Sequence, residues 1–176
     1  MDPQIQEVLD HYLITRLINE YCHGCDRLDE LRMAGVYAED SWDDHGANKC
    51  SGQELSRRVM KELPHTEVCS HMMGQTLINS RADEAGAESV FLATIVTRRP
   101  DGVALCNQLG GRYVDSLIKQ DGAWKIKHRV CVRDWSISHE VTVDWLDHGC
   151  HVKGRRDNDD PSFAALGLRH SSAVTG

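Results

Sequence analysis

The chain has 176 residues, and 27 acidic against 20 basic side chains give it a net charge of -7. This length suits one domain with a single core, and the acidic balance disfavours contact with phosphate backbones or anionic lipid. No run approaches the roughly 20 apolar residues of a membrane span, and the polar start MDPQIQEVLD does not resemble a secretory signal. We therefore expect a cytoplasmic protein with no nucleic-acid or membrane partner.

The first half of the chain has the periodicity of helices. Residues 4–25 repeat apolar side chains every three to four positions, which predicts an amphipathic helix. A second helix is predicted over 26–40 and a third over 51–63, where Ser51 stands three residues before Glu54 as in a capping box and Pro64 ends the pattern.

After Pro64 the apolar pattern alternates every second residue, which is typical of strands. The strand-like runs are 68–81, 87–99, 102–120 and 123–138, and short turns rich in Asp and Gly join them. Gly110 and Gly111 interrupt the third run, where a bulge would help the sheet to bend. The class is therefore α+β, with a curved antiparallel sheet that follows the helices.

The periodicity is lost after residue 140. We predict one domain over 1–140 and a mostly extended tail over 141–176, which packs on that domain or on a partner subunit and has one short helical turn beginning at Asp160 and Pro161. Seven cysteines lie scattered in apolar surroundings, and their odd number favours free thiols over disulfides.

Two ionisable residues lie on predicted apolar surfaces. One further helical turn would place Asp26 on the apolar stripe of the first helix, and His71 lies in the strand run EVCSHMMGQTLIN, neither face of which is polar. If the two met, the Asp26 carboxylate would accept from one ring nitrogen and leave the other available as a general base. The alternatives are an exposed Asp26 at the end of the helix and a His71 that is only structural.

Four other features of the sequence are candidates for a site. Strict alternation places Arg129 opposite the apolar face of Trp124 and Ile126, on a face that would be solvated unless the sheet curls around it. Cysteines 22 and 25 form a CxxC spacing that residues 148–151 would complete as a metal site, but the helical stripe already explains both cysteines, so we expect no metal. The segment WDDHG, residues 42–46, is interpreted as a polar turn, and Cys69 as a thiol without an electropositive neighbour.

Together, the segments YCHGCDRLD, DDHG, CSHMMGQ, GGRYVDSL and AWKIKHRVCVRDW resemble the SnoaL-like branch of the nuclear transport factor 2-like superfamily over about residues 5–138. The resemblance implies a cone-shaped α+β barrel, in which amino-terminal helices wrap a curved sheet around a deep apolar pocket. Within the branch, scytalone dehydratase, bile-acid 7α-dehydratase and hexachlorocyclohexane dehydrochlorinase use an Asp–His pair without metal or organic cofactor.

By motif, the resemblance assigns catalytic roles to Asp26 and His71. It also places Arg129 in the pocket, against the argument from alternation. Side chains expected to contact a substrate are Tyr21, Trp42, Cys69, Met73, Phe91, Asn107 and Trp135. The resemblance further implies a homodimer or homotrimer that binds a small molecule.

These observations predict a cofactor-independent lyase that removes a proton and eliminates water, formaldehyde or halide. Its substrate would be a mid-sized aromatic or alicyclic hydroxylated compound, such as a lignin-derived diaryl diol. The alternatives are an isomerase of the ketosteroid type, which moves a double bond, and a binding module without catalytic activity.

Overall fold

The computed structural model describes residues 2–141, 149 and 151–168. The helices are α1 (Pro3–Arg27), α2 (Glu30–Gly35), α3 (Gly52–Glu62) and α4 (Pro161–Ala165), and a 3-10 turn covers Leu63–His65. The strands are β1 (Tyr37–His45), β2 (Asn48–Cys50), β3 (Thr66–Arg81), β4 (Glu84–Arg98), β5 (Ala104–Gln120) and β6 (Ala123–Glu140). The predicted α+β class is confirmed.

One six-stranded sheet carries the fold, in the order β2-β1-β6-β5-β4-β3. Neighbouring strands are antiparallel except β1 and β6, which are parallel. The predicted antiparallel sheet is therefore mixed, and it stays open because β2 and β3 lie at its two edges. This curved, open sheet under amino-terminal helices is the arrangement of the cone fold.

Helix α1 lies against the sheet through the second half of the predicted apolar stripe, whereas Ile5 and Leu9 at its start are exposed. The Asp2 side chain caps its first turn by accepting from Gln4 N at 2.8 Å, and Ile14, Ile18 and Tyr21 on its inner face are at most 2% exposed. A buried hydrogen bond of 2.9 Å from the Trp124 indole to Asp10 attaches the helix to β6. Among the described helices, none is long and apolar enough to cross a membrane.

The second predicted helix, over 26–40, is wrong in both bounds. Leu28 adopts a left-handed conformation that ends α1, and Asp29 caps a new helix, α2, that lasts only to Gly35. The chain then becomes strand β1, and directly before it Val36 O accepts a hydrogen bond from Ile126 N of β6. Pairing with a distant strand therefore overrides the local helical pattern.

The segment 42–46 is likewise not a polar turn. Strand β1 continues through His45, and only Gly46, with a φ of 77°, begins the turn to β2. Two acidic residues and a histidine thus lie in a strand beside β6, and alternation sends Asp43 and His45 to one face of the sheet.

Two local predictions are confirmed. The Ser51 side chain caps α3 by accepting from Glu54 N at 3.2 Å, and the pairing of β5 with β6 changes register between Gly110 and Gly111. The extra residue is Asp134 on β6, and a bulge at this point bends that strand and adds to the curvature of the sheet.

The described part of the tail, residues 151–168, packs against this same chain. Arg156 donates to the carbonyl oxygens of Cys25, Asp26 and Leu63, and Phe163 in α4 is 2% exposed beside His23. Helix α4 begins at Pro161 with Asp160 as its cap, as expected. The rest of the predicted tail, residues 142–148, 150 and 169–176, lies outside the described residues.

The bulge gives a test of the fold. A β-carbon on Gly111 would lie 2.2 Å from the carbonyl oxygen of Val132, a backbone atom that cannot rotate away. We expect Gly111→Ala to lower the free energy of unfolding by about 3 kcal/mol, measured by urea denaturation. Gly86→Ala is the matched control, because nothing lies within 4 Å of its β-carbon. Equal stability of the two variants would contradict the close approach at Gly111.

Candidate active site

The end of α1 and the edge strand β3 bring Asp26 and His71 together. Nδ1 of His71 donates to Asp26 Oδ1 at 2.7 Å, and the main-chain N of His71 donates to Oδ2 at 2.8 Å. Strand β3 has a hydrogen-bonded neighbour on one side only. Main-chain N–H groups on its free edge have no partner strand, and the Asp26 carboxylate accepts from one of them. Both side chains are nearly buried, with 9% of His71 and 12% of Asp26 exposed.

The surroundings of His71 favour its protonated ring. Burial lowers the pKa of His71, but hydrogen bonds with Asp26 and Cys69 outweigh it and raise that pKa to about 9. Cys69 has the opposite shift, because a hydrogen bond from Cys25 and the neighbouring His71 lower its pKa to about 6 against the effect of burial. The expectation that Cys69 has no electropositive neighbour was wrong, since His71 follows it two residues later on the same strand face.

Arg129 is fully buried and forms an ion pair with Asp115. Its Nε and Nη2 donate to the two carboxylate oxygens, each at 2.7 Å, and its guanidinium lies over the rings of Tyr21 and Tyr113 at 4.3 and 4.2 Å. Among the described residues, Nη1 of Arg129 has no hydrogen-bond partner. A buried donor without a partner is available to a bound molecule.

Strict alternation places Arg129 on the wrong face because β6 contains a bulge. Ile126 pairs with Leu117 and His128 pairs with Ser116, so Lys127 is an extra residue on its strand. That residue reverses the alternation, and Arg129 joins the same face as Ile126.

We call the face of the sheet that α1 covers, which includes Ile126 and Arg129, the inner face. Tyr113 lies at its centre. Phe91 stacks on it at 4.4 Å, Tyr21 meets its ring edge-on at 5.5 Å, and His71 lies at 6.5 Å. Tyr113 was not predicted as a site residue, because the sequence around a single strand residue does not show which distant side chains it will meet.

Four of the predicted substrate-contact residues lie on this inner face. Tyr21, Cys69 and Phe91 are each 2% exposed, and the Met73 sulfur contacts the Cys22 thiol at 3.4 Å. Asn107 lies farther along β5, opposite Ile95, where it accepts from the Ser138 hydroxyl at 2.7 Å.

The two predicted tryptophans do not join them. Trp42 is 48% exposed, since it alternates with the inward Asp43 on β1. Trp135 is 51% exposed and lies against Gly110. A β-carbon on Gly110 would meet the Trp135 ring, whereas one on Gly111 would meet Phe91, so Trp135 and Phe91 lie on opposite faces of the sheet. Both indoles therefore lie on the outer surface of the sheet.

A second His–Asp pair, which the sequence analysis missed, occupies the end of β1. Nδ1 of His45 donates to Asp43, the Tyr37 hydroxyl donates to the same carboxylate at 2.5 Å, and His45 Nε2 lies 3.4 Å from the Tyr21 hydroxyl. Burial lowers the pKa of His45, but the hydrogen bonds with Asp43 and Cys131 raise it to about 9. The sequence did contain one signal for this pair. Asp43 and His45 are two residues apart, a spacing that places both side chains on one face if the segment is a strand.

Metal-binding atoms also converge near His71. The ligand atoms of Cys25, Asp26, Cys69 and His71 lie within 4.8 Å of one another, and such a mixed set suits zinc. The hydrogen bond between Asp26 and His71 already satisfies two of the four groups. Of the CxxC alternative, Cys22 contacts Met73 instead, and His148 and Cys150 lie outside the described residues.

The surface also has clefts remote from this face. One of about 490 Å³ lies between α1, α2 and the turn from β5 to β6, with Arg32 and Trp124 in its wall. It contains neither Asp26 nor His71, and the paired charges in its walls are arginine–carboxylate ion pairs without a histidine. We therefore place the candidate site on the inner face of the sheet.

The comparisons with known proteins agree with this fold. Residues 6–130 match the sequence model of the SnoaL-like domain, and no curated protein matches significantly. A structure from Novosphingobium aromaticivorans DSM 12444, provisionally assigned as a scytalone dehydratase, is 21% identical, with a TM-score of 0.68 over 80% of this chain and 94% of that one.

Two further structures are similar. A Mycobacterium tuberculosis protein of unknown function is 24% identical, with a TM-score of 0.65 over 76% of this chain and 77% of that one. A type 2 hexachlorocyclohexane dehydrochlorinase is 14% identical, with a TM-score of 0.69 over 80% of this chain and 95% of that one. At these identities the likeness concerns the fold, and the family rests on the sequence match over residues 6–130. The chain belongs to the SnoaL-like domain family of the nuclear transport factor 2-like superfamily.

Proposed function

We propose that the protein is a cofactor-independent lyase in which the Asp26–His71 pair removes a proton from the substrate. The observation that carries this proposal is the double hydrogen bond from His71 to one carboxylate, through ring Nδ1 and the main-chain N. Two bonds to one acceptor fix both the position of the residue and the orientation of its ring. The similarity to a dehydrochlorinase and to a provisionally assigned dehydratase supports the same class of reaction.

The role of His71 follows from which of its two ring nitrogens is hydrogen-bonded to Asp26. Because Nδ1 donates to Asp26, the lone pair of neutral His71 lies on Nε2, which takes the substrate proton. The resulting imidazolium is stabilised by the Asp26 carboxylate, in the same way that the acid of a catalytic triad stabilises its histidine. No metal or organic cofactor takes part in this scheme.

The departing group needs stabilisation of its developing negative charge. Arg129 lies on the same inner face with Nη1 unbonded among the described residues, and its positive charge is held in place by Asp115. A fixed cation in a buried site stabilises an anionic transition state without reorganising. Tyr21, five residues before Asp26 on α1, offers a hydroxyl to the same region.

The lining of the inner face suggests the substrate class. Phe91, Tyr113 and Met73 supply aromatic and sulfur surfaces that suit a mid-sized aromatic or alicyclic compound. Hydroxylated compounds such as lignin-derived diaryl diols combine this shape with a leaving hydroxyl group. A library of aryl diols and hydroxylated ring compounds, followed by mass spectrometry, distinguishes loss of water, formaldehyde or hydrogen halide from the unchanged mass of an isomerisation.

His71→Gln tests the base directly. Glutamine keeps a polar side chain of similar length but takes no proton, so turnover of any substrate from this library should fall by about 100-fold or more. His128→Gln is the matched control, because His128 is exposed on the outer face of β6. Thermal unfolding checks that both variants fold, and undiminished turnover by folded His71→Gln would exclude the proposed base.

The raised pKa of His71 predicts a rising pH dependence. Since the ring accepts a proton only when neutral, kcat/KM should increase with pH until it passes the His71 pKa of about 9. In Asp26→Asn the largest contribution that raises the His71 pKa is lost while burial remains, so this increase should move to lower pH, and the plateau rate should fall. The pH profiles of kcat/KM measure both effects, and an unchanged profile in the variant would show that Asp26 does not control His71.

A further inference from the structure

The Asp43–His45 pair is built into the same face as the proposed base. Asp43 is fully buried, and its two oxygens accept from His45 and from the Tyr37 hydroxyl. Burying a carboxylate is costly unless donors surround it, so this arrangement maintains a charged acceptor behind the His45 ring. The ring is not enclosed to the same degree, because 15% of its side chain is exposed.

The two imidazoles lie on either side of Tyr113. Its ring centre is 6.1 Å from that of His45 and 6.5 Å from that of His71. His45 comes from β1 at one side of the sheet and His71 from β3 at the opposite edge. Phe91 stacks on the Tyr113 ring and Arg129 lies over it. A molecule bound between the two imidazoles, and not on that ring, would have one His–Asp pair at each end.

Elimination gives these two pairs different tasks. A base removes the proton from carbon, and the group that leaves takes the electrons of the broken bond. Chloride and acetate leave as weak bases and need no proton, whereas a hydroxyl leaves readily only when an acid protonates it. His71 cannot supply that proton in the same step, because its free nitrogen is accepting one.

We propose that Tyr21, His45 and Asp43 form a proton-supply relay, and that the natural reaction of the site is loss of water from a hydroxylated substrate. The relay rests on the proposed lyase function and adds its acid half. Tyr21 is the catalytic residue that contacts the departing oxygen, and His45 acts through it as a positioning residue held by Asp43.

The step balances without a further reactant. The electrons of the broken C–H bond form the new double bond, and those of the broken C–O bond leave with oxygen. Tyr21 gives its hydroxyl proton to that oxygen and receives one from His45 Nε2, so water departs. His71 then holds the proton from carbon, and exchange with solvent returns both rings to their starting states.

The charges around the relay suit this direction of proton transfer. The groups that face His45 are Asp43 on its own strand, Cys131 on β6, the Tyr21 hydroxyl on α1 and the Tyr113 ring on β5. Burial raises the pKa of the Tyr21 phenol well above its ordinary value, so the group remains a donor. The His45 pKa of about 9 keeps that ring protonated at neutral pH.

A pair of probes that differ only in the leaving group tests the relay. The aldol of benzaldehyde and acetone loses water to give benzylideneacetone, and its acetate ester gives the same product by losing acetate. We expect His45→Gln to slow the first reaction by about 100-fold or more and the second by less than about 3-fold. Tyr21→Phe should slow the first reaction at least as much, because it removes the donor that contacts the departing oxygen. His71→Gln should slow both, and His128→Gln neither.

The pH profile separates a proton donor from a merely structural residue. In the unmodified protein, dehydration should rise as His71 loses its proton and fall as His45 loses its own, both near pH 9. His45→Gln should remove the falling side and keep the rising one. A structural residue would lower the whole profile without changing its shape.

Nuclear magnetic resonance of the ring nitrogens tests the relay without turnover. The His45 ring should be protonated at pH 7, and a neutral His45 there would overturn the relay alone. An equal loss of both probe reactions in folded His45→Gln would also overturn the relay but leave the base intact. If the unmodified protein converted neither probe, the lyase function would fall for this class of substrate, and the relay with it.

Discussion

The contact between Asp26 and His71 is the constraint on which the rest of the site depends. One carboxylate at the end of α1 accepts from the ring and from the main chain of a residue in the edge strand β3. It therefore fixes where the helix ends on the sheet and how the imidazole is turned. Arg156 from the tail donates to the carbonyl oxygens of Cys25 and Asp26, so a third part of the chain supports the same corner.

The inner face of the sheet contains more charge than a core needs for stability. Arg129 and Asp115 are fully or almost fully buried, and Asp43 is enclosed beside them. Replacing a buried ion pair by packed apolar residues is often neutral or stabilising, so stability alone does not explain this composition. The proposed lyase function would give it a purpose, because charges held in place by their partners stabilise a charged transition state. The aromatic rings of Tyr21 and Tyr113 cover the guanidinium and limit its contact with water.

The sequence predicted most of the helices and strands but not the residues that complete the site. The long helix, the cap at Ser51 and the bulge at Gly110 and Gly111 have local signals, and all three are present. Strand β1 has no such signal, since the residues it pairs with, such as Ile126 for Tyr37 and Arg129 for Asp43, lie far along the chain. For that reason the sequence analysis did not include Asp43 and His45 in the site. It also expected Trp42 to contact a substrate, whereas Trp42 lies on the outer surface of the sheet.

By itself, the sequence determined the α+β class and the apolar surfaces that enclose Asp26 and His71, because periodicity and burial are encoded residue by residue. Only the tertiary structure decided which groups meet. One extra residue at Lys127 turns Arg129 inwards, and a parallel pairing carries His45 to the far side of Tyr113. Convergence of this kind depends on the register between distant strands, and a shift of one residue in register sends every following side chain to the opposite face.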